Sequence, residues 1–387
     1  MKINFFDLKE QYEQVKEDII PAVKRIFESQ RFVLGENVCN FEKTFAEYCG
    51  TKYCVAVSSG TDALLASLMA LEIGAGDEVI LPDFTFFATA GVVARLGAKP
   101  VFVDIERDSF LISCDAIQTA ITPKTKAIIP VHIFGQCADM AKIKEIANGI
   151  PIIEDAAQSV GAEYKDGLKA GNLGLMGCFS FYPTKNLSGA GDSGAITTND
   201  EKLYNKLIQM RNHGMEPKYY HSFVGGNFRM DEIQAAVLLA KLPHIEQWNN
   251  LRRINHNIYR KYFIESELAT IENKQNILSA ENNVILPHSI YADSGVINFH
   301  IFHQYCVLVN KRDELKKFLA DNDVGSDIYY PIPLHKQKCF SDYNYNDSGY
   351  SNTNYICDNI LALPVYPELS EPQIMYVVNM IKKFYKG

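Results

Sequence analysis

Four short segments, far apart in the chain, hold the residues that could do chemistry. FSFYPTKNLSGAGDSGA puts Ser180 near the end of a strand-like run and Lys185 five residues later, in a loop rich in proline and glycine. A lone lysine ordinarily faces solvent, whereas an amine that attacks a carbonyl needs its pKa lowered by burial or a neighbouring cation. The spacing lets the hydroxyl reach a phosphate while the amine reaches an aldehyde of the same small molecule. IIEDAAQS ends an apolar run on Asp155, with Gln158 one turn further on. Such a carboxylate is costly to bury unless a positive group meets it. A protonated pyridine nitrogen is one such group, to whose ring hydroxyl Gln158 could donate; a structural Arg or Lys, or a ribose, are the alternatives for Asp155. In VSSGTDALLASL, Gly60 and Thr61 stand at a helix N-terminus, where free N–H groups and the dipole suit a phosphate. An ordinary cap by Ser59 or Thr61 reads equally well. PDFTFFATA offers Phe86 as a ring to stack on a flat cofactor, or as plain core. Together these are a phosphate cradle, a partner for a cationic nitrogen, a carbonyl-reactive amine and a stacking face, which are the requirements of pyridoxal phosphate. A charged pyridine ring draws electrons from a substrate carbon during transamination.

Two other motifs compete. Gly189, Gly191 and Gly194 spell G-x-G-x-x-G, the entry to a nicotinamide oxidoreductase reading, but that fingerprint should follow a strand and open a helix. Here it precedes the strand-like AITTN. His300 and His303 form an HxxH whose side chains point to opposite faces if the run is a strand, so no metal is expected.

The elements that must position these residues alternate. VAVSS, EVILP, PVFVDI, AIIPVHIF and PIIEDA read as strands, with helical periods between them at TDALLASLMALEI, about Phe86–Leu96, Asp115–Ala120 and Asp139–Ala147. This is the pattern of an α/β fold with a mostly parallel sheet covered by helices. GCFSFYPT and GAITTN add two strands, and EKLYNKLIQMRNHG is a helix ending at Gly214. The large domain is expected over residues 1–245. Residues 246–387 read as a smaller α+β domain: a helix IEQWNNLRRINHNIYRKYF, an Asn-rich surface loop at Asn273–Asn283, a long strand INFHIFHQYCVLV, a helix KRDELKKFLADN and a last helix after Pro372.

Composition sets the outer bounds. At roughly 150 residues per domain, 387 residues suggest two or three domains, and 47% hydrophobic with 22% charged residues excludes wholesale disorder. The net charge of −8, without a basic face, argues against nucleic acid. Nine cysteines with no CxxC pair read as buried free thiols of a reducing compartment. MKINFFDLKEQYEQ is acidic where a signal peptide needs an apolar run, and the apolar stretch Phe84–Val103 is broken by Arg95 and Lys99. A cytoplasmic protein off the membrane is expected.

SSGTDAL, PDFTF, GAKPVFVDI, VHIFGQCADM, IEDAAQS, FSFYPTKNL, GDSGAI and GNFRMDEIQAA, in this order, resemble the DegT family of sugar aminotransferases, fold-type I pyridoxal phosphate enzymes. The resemblance runs from FFDL to YYPIPLH and LPVYPELS, essentially the whole chain. It implies that Lys185 forms the covalent link to the cofactor and shuttles protons. Asp155 then meets the pyridine nitrogen, Gln158 the ring hydroxyl, Gly60, Thr61 and Ser180 the phosphate, and Phe86 the ring face. Asn227 matches a residue lent to the phosphate by the neighbouring subunit of a homodimer. The family's usual donor is glutamate and its acceptor a keto group on a nucleotide-linked sugar, so the product is expected in polysaccharide or lipopolysaccharide biosynthesis. Ser193 departs from the frequent GDGGA, adding a side chain to a tight turn. A branch with histidine at the lysine position performs dehydration; Lys185 favours amino transfer. RNHGMEPKYYHSFVGGNFRMDEIQAA is most similar to members that aminate C3, which favours a UDP-linked N-acetylated 3-keto sugar, with dTDP-linked 3-keto or 4-keto sugars as alternatives. His213, His221, Arg229, Tyr330 and His335 could bind the diphosphate and sugar, or could pack at the surface or subunit interface. A nicotinamide oxidoreductase and a non-catalytic sensor are the rivals from other classes.

Overall fold

The computed structural model describes residues 1–270, 277–279 and 282–387. Of the Asn-rich stretch 273–283, residues 273–276, 280 and 281 lie outside the described residues. Two helices, α1 (Lys9–Ser29) and α2 (Glu36–Cys49), precede the first strand. Neither was expected from the sequence. Valine and isoleucine recur in α1 at buried positions Val15, Ile19 and Ile26, spacings of four and seven that line one helix face, and both helices pack on the helix Glu232–Lys241.

The central elements follow as β1 (Tyr53–Val57), α3 (Gly60–Ala70), β2 (Glu78–Pro82), α4 (Ala88–Arg95), β3 (Lys99–Val103), α5 (Cys114–Ala120), β4 (Thr125–Ile128), α6 (Met140–Ala147), β5 (Ile153–Asp155), β6 (Met176–Ser180) and β7 (Gly194–Thr198). Strand order is β3-β2-β4, joined by parallel bridges Ile128–Ile152 and Val131–Asp155 to β5-β6-β7-β1. The pairings from β3 through β6 are parallel, as the alternating pattern predicts. The chain then reverses: β7 is antiparallel to both β6 and β1, because a loop and no crossover helix joins β6 to β7. Ser180 pairs with Gly194 across that reversal, so the whole 181–193 loop projects from the strand ends.

Next come α7 (Glu201–Met210), α8 (Glu232–Lys241), α9 (Ile245–Glu265), β8 (Val284–Ile285), β9 (Tyr305–Val309), α10 (Arg312–Asp321), α11 (Ser351–Asn359), β10 (Ile360–Leu363) and α12 (Glu371–Lys386). The α7 helix stops at Met210, four residues before the expected Gly214. The long strand expected from INFHIFHQYCVLV is confined to residues 305–309. Before it, Phe302 has φ 45, and the N–H groups of Ile301 and His303 donate to the carbonyls of Gly135 and Phe134. That segment is spent on tying the 134–135 turn. AIIPVHIF likewise splits into β4 and a 3-10 turn at Ile133–Gly135. The antiparallel sheet β10-β9-β8 shares a core with α9, α10 and α12 through Tyr259, Phe263, Tyr305, Val307, Leu361 and Val377. Ile3, read from the sequence as part of the first unit, is buried in this second core and bridges to Val324.

Seven cysteines are buried, but Cys39 and Cys339 are exposed, against the expectation of uniformly buried thiols. Among the described residues no helix is long and apolar enough to cross a membrane.

Beneath the β5 end lies a buried polar knot. Glu154 accepts hydrogen bonds from the N–H groups of Gly171, Leu173 and Gly174 (2.7, 2.7 and 2.5 Å) and from His132 Nε2 (2.8 Å). His132 Nδ1 accepts from the Ala138 N–H at 3.1 Å, so Nε2 carries the hydrogen. Glu154→Ala strands two buried amides, the part-buried Gly174 amide and an imidazole, and we expect a loss of roughly 3 kcal/mol or more of stability. Urea unfolding followed by circular dichroism measures it; an unchanged midpoint refutes the structural role.

Candidate active site

Asp155 ends β5, itself too buried for alternation, and the residue is 5% exposed. Oδ2 accepts from Thr89 Oγ1 at 2.8 Å and Oδ1 from the Ala157 N–H at 3.2 Å. Burial pushes its pKa up, and the Thr89 and Ala157 hydrogen bonds and the charges of Lys185 and His132 oppose that rise. Lys185 hangs from the loop after β6. Its backbone is fixed by a bond from its N–H to the Tyr182 carbonyl, while Phe181 and Gly189 close the loop's neck. Lys185 is half-buried, with protein crowding round its amine. That desolvation pulls its amine from the usual lysine range to about 8, against the attraction of Asp155. No ion pair or hydrogen bond joins Lys185 to Asp155.

Against Ser180, at the end of β6, lies the α3 N-terminus. Ser59 caps it, accepting from the Asp62 N–H at 3.0 Å, and the Gly60 and Thr61 N–H groups have no partner among the described residues. The ordinary cap and the anion site therefore coexist. A Cβ on Gly60 would stand 2.6 Å from Cβ of Ser180, so only glycine lets the helix end and the Ser180 hydroxyl approach this closely. Gln158 is oriented by the Phe134 N–H, which donates to Oε1 at 2.7 Å; its Nε2 donates to the Tyr330 hydroxyl at 3.2 Å. Phe134 has φ 57, and the neighbouring Gly135 has φ 108, where a Cβ would meet Ile301 at 2.6 Å. Phe86 is 57% exposed, its ring 6.2 Å from that of Tyr330.

These features fit pyridoxal phosphate. A buried carboxylate and a desolvated amine feel each other's charge without neutralising each other, and at the end of the neighbouring strand the Ser180 side chain stands against the unpartnered helix N–H groups.

The residues expected at the substrate fall into two groups. His213, at φ 62 and exposed, accepts through its carbonyl from His221 Nδ1 at 2.9 Å, and Arg229 Nη1 donates to Asn212 Oδ1 at 2.7 Å. Asn227 is exposed on the same segment, which runs antiparallel to Val57 and bridges to Asn212. Tyr330 belongs to the cleft through Gln158. His335 departs from expectation: Nδ1 bonds Asp83 Oδ2 at 2.6 Å, Nε2 bonds Asp347 Oδ1 at 2.9 Å, and the ring stacks on Tyr350, so it has no nitrogen to offer a substrate. Ser193 is buried, its hydroxyl 3.5 Å from the Phe181 carbonyl within the loop's neck. Gly194 opens β7 and no helix, which removes the dinucleotide reading of the glycine motif. His300 and His303 are buried, with pKa values depressed by burial, and pair with the Phe302 N–H and Asn186. No group of three metal-ligating side chains occurs among the described residues. Thr85 and Thr89, inside the PDFTFFATA segment, had been given no role; their i, i+4 spacing on the segment that carries Phe86 is the signal that could have singled them out.

The sequence profile described as the DegT/DnrJ/EryC1/StrS aminotransferase family matches residues 13–382. The chain is 42% identical to a "Pleiotropic regulatory protein" of Geobacillus stearothermophilus, over 100% of this chain and 99% of that one. It is 38% identical to the UDP-N-acetyl-3-dehydro-alpha-D-glucosamine 3-aminotransferase of Acidithiobacillus ferrooxidans, over 100% and 98%. The solved structure of Streptomyces venezuelae DesV superposes with a TM-score of 0.89 at 35% identity, covering 100% of this chain and 99% of that one.

An amine with a pKa of about 8 is half neutral there and increasingly nucleophilic above it. In the apo-protein, acetylation of Lys185 followed by peptide mass spectrometry should therefore rise with a midpoint near pH 8, while exposed lysines rise near ~10.4. A Lys185 midpoint with the exposed set contradicts its desolvation.

Proposed function

We propose that this chain, which belongs to the DegT/DnrJ/EryC1/StrS aminotransferase family and is a pyridoxal-phosphate-dependent aminotransferase of fold type I, moves an amino group from glutamate to C3 of a UDP-linked N-acetylated 3-keto sugar. One observation carries the catalytic reading: Asp155 and Lys185 are both desolvated and feel each other's charge yet stay unpaired, with a phosphate-ready helix end at the tip of the adjacent strand. The sugar is inferred from the full-length relative in Acidithiobacillus ferrooxidans, whose name specifies that substrate.

When bound, pyridoxal phosphate supplies a carbonyl that captures amines and a ring that spreads the electrons left when a carbon loses its proton. The Gly60 and Thr61 N–H groups and the Ser180 hydroxyl would hold the phosphate, Gln158 Nε2 would donate to the ring oxygen, and Phe86 would cover the ring face. Asp155 Oδ would hold the proton on the ring nitrogen. Lys185 Nζ, neutral in a good fraction near pH 8, would form the covalent attachment, then take the proton from the donor's α-carbon and return it on the acceptor side. His213, His221 and Arg229 would bind the substrate's diphosphate, with Tyr330 at the sugar. Asn227, exposed on their segment, would reach the phosphate of a partner subunit in a homodimer. We read the product as entering polysaccharide or lipopolysaccharide synthesis in the cytoplasm. The regulatory name of the Geobacillus relative keeps a sensor reading in view; it requires no turnover.

Lys185→Ala should lose turnover roughly a thousandfold or more with its circular dichroism unchanged. Asn227→Ala should also be impaired. In a mixed dimer both lesions meet in one site and leave the other intact, so co-refolding the two variants should restore activity; failure to complement, or a monomer by light scattering, refutes the contact in trans. With glutamate and UDP-linked 3-keto and 4-keto N-acetyl sugars, product NMR should find the new amine at C3. Amination solely at C4 overturns the substrate, and no product from any sugar favours the sensor.

A further inference from the structure

Thr85 and Thr89 lie one turn apart where the connection after β2 enters α4, and they are 3% and 0% exposed. Thr89 Oγ1 is 2.8 Å from Asp155 Oδ2, 3.1 Å from Thr85 Oγ1 and 3.2 Å from the Phe86 carbonyl oxygen. A hydroxyl has one hydrogen to give, and an ionised carboxylate can only accept. With Asp155 charged, Thr89 must donate to it, and Thr85 must be the donor to Thr89. With Asp155 protonated the order inverts: the carboxyl donates to Thr89, and the Thr89 hydrogen turns to Phe86, the i−3 carbonyl that threonine commonly bonds in a helix. The heavy atoms need not move between the two settings.

We infer that Thr89, oriented by Thr85, is a positioning residue for Asp155, fixing Oδ2 and holding the carboxylate in its charged form toward the ring nitrogen of the cofactor. This rests on the role given to Asp155 above. The charged and titratable groups that face Asp155 are Lys185 on the loop after β6, His132 after β4, Cys178 on β6 and Tyr330 from the C-terminal segment. None of them bonds the carboxylate; Thr89 and the Ala157 amide are its two donors, and the Thr89 bond is the shorter. Burial drives Asp155 toward its neutral form, and Thr89 is the largest influence against it. Without that hydroxyl one amide remains, and the proton shared between carboxylate and ring nitrogen moves toward the carboxylate. The second hydroxyl matters because an unpinned Thr89 can turn its hydrogen to Phe86.

The test compares full-length Thr89→Val, Thr89→Ser, Thr85→Val and Asp155→Asn. Carboxyl-carbon NMR of aspartate-labelled apo-protein, with Asp155→Asn identifying the resonance, gives the Asp155 midpoint; kcat/KM and the Kd for pyridoxal phosphate are measured on the same variants. Thr89→Val should raise the midpoint by about one unit and cut kcat/KM roughly tenfold to a hundredfold, weakening the Kd less. Thr89→Ser should return both to within about threefold or 0.3 unit of the parent, and Thr85→Val should fall between. Should Thr89→Val not fold, Thr89→Ala and Thr85→Val carry the comparison. An unmoved midpoint with kcat/KM within threefold in Thr89→Val, while Asp155→Asn is crippled, overturns the inference alone. If Asp155→Asn keeps near-parental turnover, the role of Asp155 fails and this inference with it.

Discussion

A carboxylate without a cation, buried at the end of a strand, is the constraint around which the site is arranged. Desolvating Asp155 is unfavourable, and the fold softens the cost with two hydrogen bonds instead of a side-chain cation. Had Lys185 closed an ion pair with it, both groups would be satisfied and neither available. They share a field but no bond: burial lowers the basicity of the amine, as a carbonyl-reactive lysine needs, and pushes the carboxyl toward its neutral form, a drift that its two hydrogen bonds and the nearby positive charges oppose. Stability is given up locally for a site that is completed by what binds there.

Keeping two such groups apart needs rigid elements. Parallel pairing delivers Asp155 at the carboxyl end of β5, with Cys178 of β6 beside it. The reversal into antiparallel β7 then turns the next strand's end into a loop, closed at its neck by Phe181, Gly189 and Ser193, from which Lys185 reaches back. Phe179 and Phe181 anchor that neck edge-on against Phe45 of α2 at 5.0 and 5.2 Å, so α2 braces the loop that carries Lys185 by aromatic packing. Below, Glu154 gathers the 171–174 turn and His132 into one knot directly behind Asp155.

What the sequence made legible is what local chemistry fixes. Apolar runs ending in Asp155, glycines at the α3 start and a lysine in a Pro- and Gly-rich loop each have a meaning within a few residues. The reversal of β7 and the break in the run 297–309 were hidden because each depends on a remote partner: the N–H groups of Ile301 and His303 bond a turn some 170 residues earlier, at Phe134 and Gly135. The place of His335 was left open between substrate and packing for the same reason. Nothing near it in sequence says that Asp83 and Asp347 will take both its nitrogens. Helix α1 was overlooked because its many charged residues and internal Pro21 mask a narrow buried stripe.

His335 still bears on the site, through position instead of contact. Its backbone N–H and Nδ1 both bond Asp83, one residue from Phe84 and three from Phe86, while its own segment begins at Tyr330. The pair thereby ties the C-terminal segment to the loop that bears Phe86, and Phe84 and Phe86 flank the Tyr330 ring at 5.8 and 6.2 Å. Burial works against charge on His335, but the hydrogen bonds and charges of Asp83 and Asp347 outweigh it and leave its pKa above the ordinary histidine value. A group whose pKa is raised on folding stabilises the fold fully below its unfolded value of ~6.5 and progressively less as pH rises through the folded value. The clamp is therefore tightest in mild acid and loosens on the alkaline side, where the Lys185 amine becomes neutral. The two demands oppose each other, but the His335 backbone N–H donates to Asp83 whatever the charge on the ring, so that tie between the C-terminal segment and the loop bearing Phe86 does not depend on the imidazolium.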